Sequence, residues 1–180
     1  MEPKKVARQA EAVWIIDPKY TTVEFSAKAL FLFTIKGSFA ELNGTIERDP
    51  ADIGHSSVEA VIKSASVKTG NKRRDARLRS AAFLDAKEHS EIRFQSTRVE
   101  KGRDRDTLRV TGTLTIRGRS QEVVLDVNEF DRSRSPQGED VTYYAALKEI
   151  DRHDFGMRGG RWLIGRTLKV MIQVQALKQI

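Results

Sequence analysis

The sequence predicts an all-β protein, with eight long antiparallel strands forming a closed barrel or a sandwich. Three observations carry this reading. Apolar and polar residues alternate with a period of two along most of the 180 residues. Turn signals separate the alternating runs, and only two short segments escape the period. The clearest run spans 107–116, where Leu108, Val110, Gly112, Leu114 and Ile116 alternate with Thr107, Arg109, Thr111, Thr113 and Thr115. One apolar face and one polar face on an extended segment make a half-buried strand.

Taken in order, residues 1–12 are polar and read as a flexible tail, and 13–180 form one domain. Inward registers then follow at Val23, Phe25, Ala27; at Leu42, Gly44, Ile46; at Val58, Ala60, Ile62; and at Ile92, Phe94. After the 107–116 run they continue at Val123, Leu125, Val127; at Tyr143, Ala145, Leu147; and from Leu168 to Ala176 at every second residue. Asp17-Pro18, Asp49-Pro50, Arg117-Gly118 and Ser135 to Gly138 supply the turns. Arg117-Gly118 reads as a tight hairpin, and Arg98 to Asp106 as a longer charged tip. Segment 29–36 (ALFLFTIK) is read as helical or bulged. Segment 71–81 is read as a short helix, N-capped by Asn71 with Leu78 facing inward. Closure into a barrel would remove exposed strand edges. Small inward residues (Ala27, Gly44, Ala60, Gly112, Ala145) predict an internal cavity rather than a filled core.

Composition narrows the chemistry. A chain of 180 residues buries about 70% of its extended surface on folding, enough for a core without covalent staples. Zero cysteines exclude disulfides and thiolate chemistry. No apolar run is long enough for a membrane-spanning helix. The N-terminus has charges but no apolar export core, which predicts a cytoplasmic protein. His55, His89 and His153 show no metal-binding spacing, so no metal is expected. Asp154-Phe155-Gly156 stands without the glycine-rich loop and strand lysine of a kinase. Nor is there a GxSxG serine. No catalytic residue is assigned, and the protein is read as a non-enzyme. The net charge of +7 raises the question of an anionic partner. Lys72, Arg73, Arg74, Arg77 and Arg79 crowd one segment, but aromatics sit in apolar registers rather than beside them. That argues against nucleic acid. A transient contact with an anionic membrane surface fits the charge better.

Several spaced motifs, in order, carry a resemblance. WIIDPKYTTVEFSAKAL and IKGSFAELNGTI are followed by Ser66, Thr69, Gly70, Arg74, Asp75, Leu78 and Phe83, then EIRFQS, VTGTLTIRG and IDRHDFGM. Together they resemble the YceI-like family of polyisoprenoid-binding, lipocalin-like β-barrel proteins, from Trp14 to about Leu177. The chain departs from the family pattern at His89-Ser90 and at Leu84.

The resemblance implies an extended eight-stranded lipocalin-like barrel, often paired as a homodimer. Its elongated apolar pocket would hold a polyprenyl chain, an isoprenoid quinone or a fatty-acid derivative, as carrier or store. An enzyme or accessory factor of isoprenoid-quinone metabolism is the alternative. No cofactor beyond such a bound lipid is expected. The pocket is expected from Phe25, Leu30, Phe33, Phe39, Leu42, Ile46, Ile62, Leu78, Phe83, Phe94, Leu114 and Phe155. Arg74, Asp75, Arg152 and Asp154 form a charge-balanced set, read either as an ion-pair network pinning the helix or as a head-group site.

Overall fold

A computed structural model describes residues 12–179. The expected tail lies outside the described residues, apart from Ala12. The strands are β1 (Ala12–Ile16), β2 (Thr22–Ala29), β3 (Phe33–Phe39), β4 (Leu42–Arg48), β5 (Ser57–Lys63), β6 (Val67–Lys68), β7 (Glu91–Lys101), β8 (Thr107–Ile116), β9 (Arg119–Arg134), β10 (Asp140–Asp151) and β11 (Ile164–Lys178). One helix, α1 (Lys72–Arg79), interrupts them.

Eight of these strands close a ring in the order β1-β4-β5-β7-β8-β9-β10-β11, sealed by β1 against the C-terminal end of β11. All pairings are antiparallel. The remaining length of β11 pairs with β2, which pairs with β3. β1 and β2 are thus two halves of one bent strand, and β3 and β4 are two halves of its neighbour. The 15 residues of β11 extend roughly 50 Å, which makes the barrel elongated.

The period-two registers match the inner wall on seven strands; β10 is out of phase. Tyr144 and Ala146 are buried, whereas Tyr143 and Leu147 are exposed. A bulge against β9 between Thr142 and Tyr143 sets this phase. The doubled pairs Tyr143-Tyr144 and Ala145-Ala146 leave the alternation itself undecided.

Segment 29–36 is neither helix nor bulge. β2 runs to Ala29, the chain turns through Leu30, Phe31 and Leu32, and β3 begins at Phe33. Leu30 and Phe31 both take positive φ, 49° and 59°. The 71–81 helix forms over 72–79, and the Asn71 side chain accepts the Arg74 N–H at 3.0 Å. Arg117-Gly118 forms the two-residue β8–β9 turn, with φ of 53° and 68°. Gly118 must be glycine there, since a Cβ would sit 2.9 Å from the His89 ring. Among the described residues no helix is long and apolar enough to cross a membrane.

Candidate functional site

The barrel encloses an apolar cavity of about 320 Å³, within the ~300–1,000 Å³ range of small-molecule sites. Phe25, Phe39, Leu42, Ile46, Ile62, Leu78, Phe83, Phe94 and Leu114 line it. Several of these are only half-buried although they point inward. Their accessible surface faces the lumen, where a filled core would have covered it.

Two glycines hold the lumen open. Gly37 lies opposite Phe25 across the β2–β3 pair, and a side chain there would run into the Phe25 ring. A Cβ on Gly112 would come within 2.6 Å of the Phe94 ring. The rings occupy the space that those Cβ atoms would need. Phe25 then meets Phe39 at 5.6 Å between ring centroids.

Three expected residues lie elsewhere. Phe155 is 1% exposed within the core cluster of Val67, Leu84, Ile92, Ile116 and Met157. Leu30 and Phe33 project at the β2–β3 tip, beyond the lining.

One end of the cavity lies beside the open edge of β3. β3 meets β6 only at Ser38 and Phe39, so its edge from Phe33 to Gly37 has no strand partner among the described pairings. Helix α1 stands beside that edge: Thr69, just before it, lies against Gly37. Ile35, Arg74, Arg77 and Leu78 line the cavity there. Asp75 accepts from the Thr69 N–H (2.8 Å) and hydroxyl (2.5 Å). Arg74 donates through Nε to the Thr69 hydroxyl and through Nη2 to its carbonyl (2.8 and 2.9 Å). Arg77 makes no ion pair or side-chain hydrogen bond among the described residues.

Arg152 is 2% exposed and donates to the carbonyls of Met157, Gly159, Ile164 and Gly165. Phe83 covers its guanidinium at 5.9 Å. Burial pulls its pKa below the usual arginine value, against the opposing pull of Asp151. Asp154 is exposed on the same 3-10 turn. The charge-balanced set therefore acts largely through backbone atoms and Thr69.

The other end holds a polar group that the sequence does not signal. Arg48 and Tyr144 line the cavity there. Arg48 donates to both Glu129 oxygens (2.5 and 3.2 Å) and to the Tyr144 hydroxyl (3.3 Å). Burial pushes the Glu129 carboxyl up, but the Arg48 hydrogen bond and charge, helped by Arg132, outweigh this and hold it below the usual carboxylate range. Burial and the Glu129 charge raise the Tyr144 phenol.

The stability that Glu129 contributes is complete above its unfolded pKa, about 4.3, and is lost as pH falls through its lower folded value. Glu129→Gln will therefore cost about 2–3 kcal/mol at neutral pH, between the limits for exposed and buried pairs. Urea melts at a series of pH values will show the gap from wild type closing as the pH falls from the ordinary carboxylate range through the lower folded value. A gap that stays constant would remove the pair from the stability account.

These features define the class: a closed antiparallel barrel whose apolar chamber is bounded at one end by a short basic helix. A family model described as the YceI-like domain matches residues 14–176. The chain belongs to the YceI-like family. Burkholderia cenocepacia BcnA superimposes with a TM-score of 0.80 at 20% identity, over 89% of this chain and 98% of that one. The Campylobacter jejuni YCEI protein gives 0.75 at 28%, over 85% and 90%. A polyisoprenoid binding domain from Saccharophagus degradans, implicated in plant cell wall breakdown, gives 0.74 at 17%, over 94% and 100%. No curated protein matches the chain.

Proposed function

We propose that the protein binds one long-chain isoprenoid lipid or similar amphiphile in the barrel and carries or stores it without transforming it. The observation that carries this reading is the chamber itself. Its wall is almost wholly apolar and its inward side chains are half-exposed to the lumen; Arg48 stands at one end, Arg74, Arg77 and Arg152 at the other, and Lys148 on β10 lies between them. Burial contributes about 0.8 kcal/mol per CH₂, so a long chain is retained without specific polar contacts. Family membership and the fold shared with a polyisoprenoid binding domain support an isoprenoid over a compact ligand.

The twelve residues expected from the sequence divide accordingly. The nine on the cavity wall are the proposed ligand contacts. Arg152 and Asp75 are proposed as structural, being taken up by backbone and Thr69. The α1 end is proposed as the mouth, where Arg77, which has no side-chain partner among the described residues, would meet a polar or anionic head group. A cargo of this kind is exchanged at a bilayer, so contact with an anionic membrane belongs to the same reading.

The test is organic extraction of protein purified without detergent, followed by mass spectrometry. About one equivalent of a long-chain lipid is expected, and its mass distinguishes an isoprenoid from a fatty-acid derivative. Protein that is consistently empty, and that takes up no polyprenyl lipid when offered it, would overturn the reading.

A further inference from the structure

Among the exposed apolar groups of the described surface, which include the cross-strand pairs Leu147–Met171 and Tyr143–Phe130, four are consecutive in sequence. At the β2–β3 tip, Phe31 is 89% exposed, Leu32 81%, Phe33 62% and Leu30 48%. Trp162, on the 3-10 turn Arg161–Leu163, is 76% exposed. The two elements are tied together: the Leu30 N–H donates to the Leu163 carbonyl at 2.9 Å, and Ala29 pairs with Ile164.

The backbone makes the composition harder to dismiss. Leu30 and Phe31 both sit at positive φ, where hairpin turns favour Asn, Asp or Gly. Large apolar residues in that conformation carry strain, and such strain persists where a site needs it. Here it sets four consecutive apolar side chains at the outermost point of a hairpin.

The tip also has a fixed relation to the mouth. Ala27 and Ile35, paired two residues inside the turn, both line the cavity. Ile164, paired with Ala29, lines it too. The unpartnered β3 edge begins at Phe33. Exposed cations lie on the elements that flank the β3 edge and the tip. Lys28 lies at the base of the tip, Lys72, Arg73 and Arg77 lie on α1, and Arg158 precedes Trp162; all are exposed.

We infer that the β2–β3 tip, together with Trp162, inserts into the headgroup region of an anionic bilayer and sets the barrel mouth against it. A tryptophan and aliphatic side chains ringed by Lys and Arg suit that interface: the rings enter the acyl boundary while the cations stay at phosphate level. Charge complementarity selects the bilayer over a second copy of this chain, whose facing tip would bring the same cations together. This inference rests on the carrier reading for its purpose, but its test does not depend on bound cargo.

Tryptophan makes the test direct, because Trp14 is 6% exposed in the core and Trp162 is exposed. Phosphatidylcholine–phosphatidylglycerol vesicles should shift the emission to the blue, and brominated lipids should quench it. Trp162→Phe should abolish both signals. Phe31→Ser with Leu32→Ser should lower vesicle binding at least about tenfold while leaving melting and extracted lipid unchanged. Salt and pure phosphatidylcholine should both weaken binding. Undiminished binding by the double variant, or binding without quenching, would overturn the inference. So would a dimer in light scattering that the double variant converts to monomer with no affinity for vesicles. Empty protein that still binds vesicles would defeat the carrier reading and leave the docking site standing.

Discussion

Replacing Arg152 with methionine will lower the melting temperature by about 8–16 °C, the largest loss expected of any single substitution described here. The side chain is nearly inaccessible, and it organises the segment between β10 and β11 by donating to the carbonyls of Met157, Gly159, Ile164 and Gly165. Each carbonyl left buried without a donor costs about 1–3 kcal/mol. Partial relaxation brings the sum to about 4 kcal/mol, and a domain of this size loses about 2–4 °C per kcal/mol. Methionine keeps part of the volume beneath Phe83 and supplies no donor. Lysine keeps the charge but lacks the planar fork that reaches these carbonyls together, so Arg152→Lys will recover little. Thermal melts by circular dichroism decide the point. A methionine variant within about 2 °C of wild type would mean that water or main-chain movement satisfies those carbonyls.

The parts of this fold that were legible in the sequence are those where local chemistry and tertiary need agree. The β8 run alternates without a break because one face meets the lumen while the other, apart from the buried Thr111, is open at least in part to solvent. Arg117-Gly118 marks its turn because only glycine suits the second position beside His89. Asn71 announces α1 because its side chain caps a backbone N–H within its own turn. The misreadings have a common origin in long-range constraint. The phase of β10 is set by a bulge against β9 and by the reach of Tyr144 to Arg48, neither visible in a Tyr-Tyr-Ala-Ala string. The turn at 30–32 lacks any turn residue, so its apolar run resembled a buried element when it is the most exposed apolar segment described. Arg48 and Glu129 stand 81 positions apart and meet only because β4 and β9 face each other across the closed ring. At Arg152 the sequence offered nearby carboxylates as partners, whereas folding supplied carbonyls.

Enlarging Ala60 will empty the chamber without unfolding the barrel. Gly44, Ala60, Phe94 and Leu114 lie in register across β4, β5, β7 and β8. The two small residues in this row leave the space that the two large ones border. Gly44 cannot be enlarged safely, because a Cβ would come within 2.6 Å of the Glu59 carbonyl and of Ile16. Ala60 lines the cavity beside the Ile16, Val23 and Leu42 cluster, so a larger side chain there has empty volume to grow into. An indole fills a large share of about 320 Å³. Overpacking a dense core costs about 1–3 kcal/mol, and growth into a void costs less. Ala60→Trp should therefore melt within a few degrees of wild type while its extracted lipid falls at least about tenfold, since a chain excluded from the lumen loses about 0.8 kcal/mol for each CH₂ left outside. Ala60→Val and Ala60→Leu should give intermediate retention in order of volume. Glu59→Trp, one residue away on the exposed face, should retain its cargo. A folded Ala60→Trp protein that still carries a full equivalent would place the lipid outside the chamber. A graded loss at constant stability would tie retention to lumen volume alone, as expected of a site that selects by length and width.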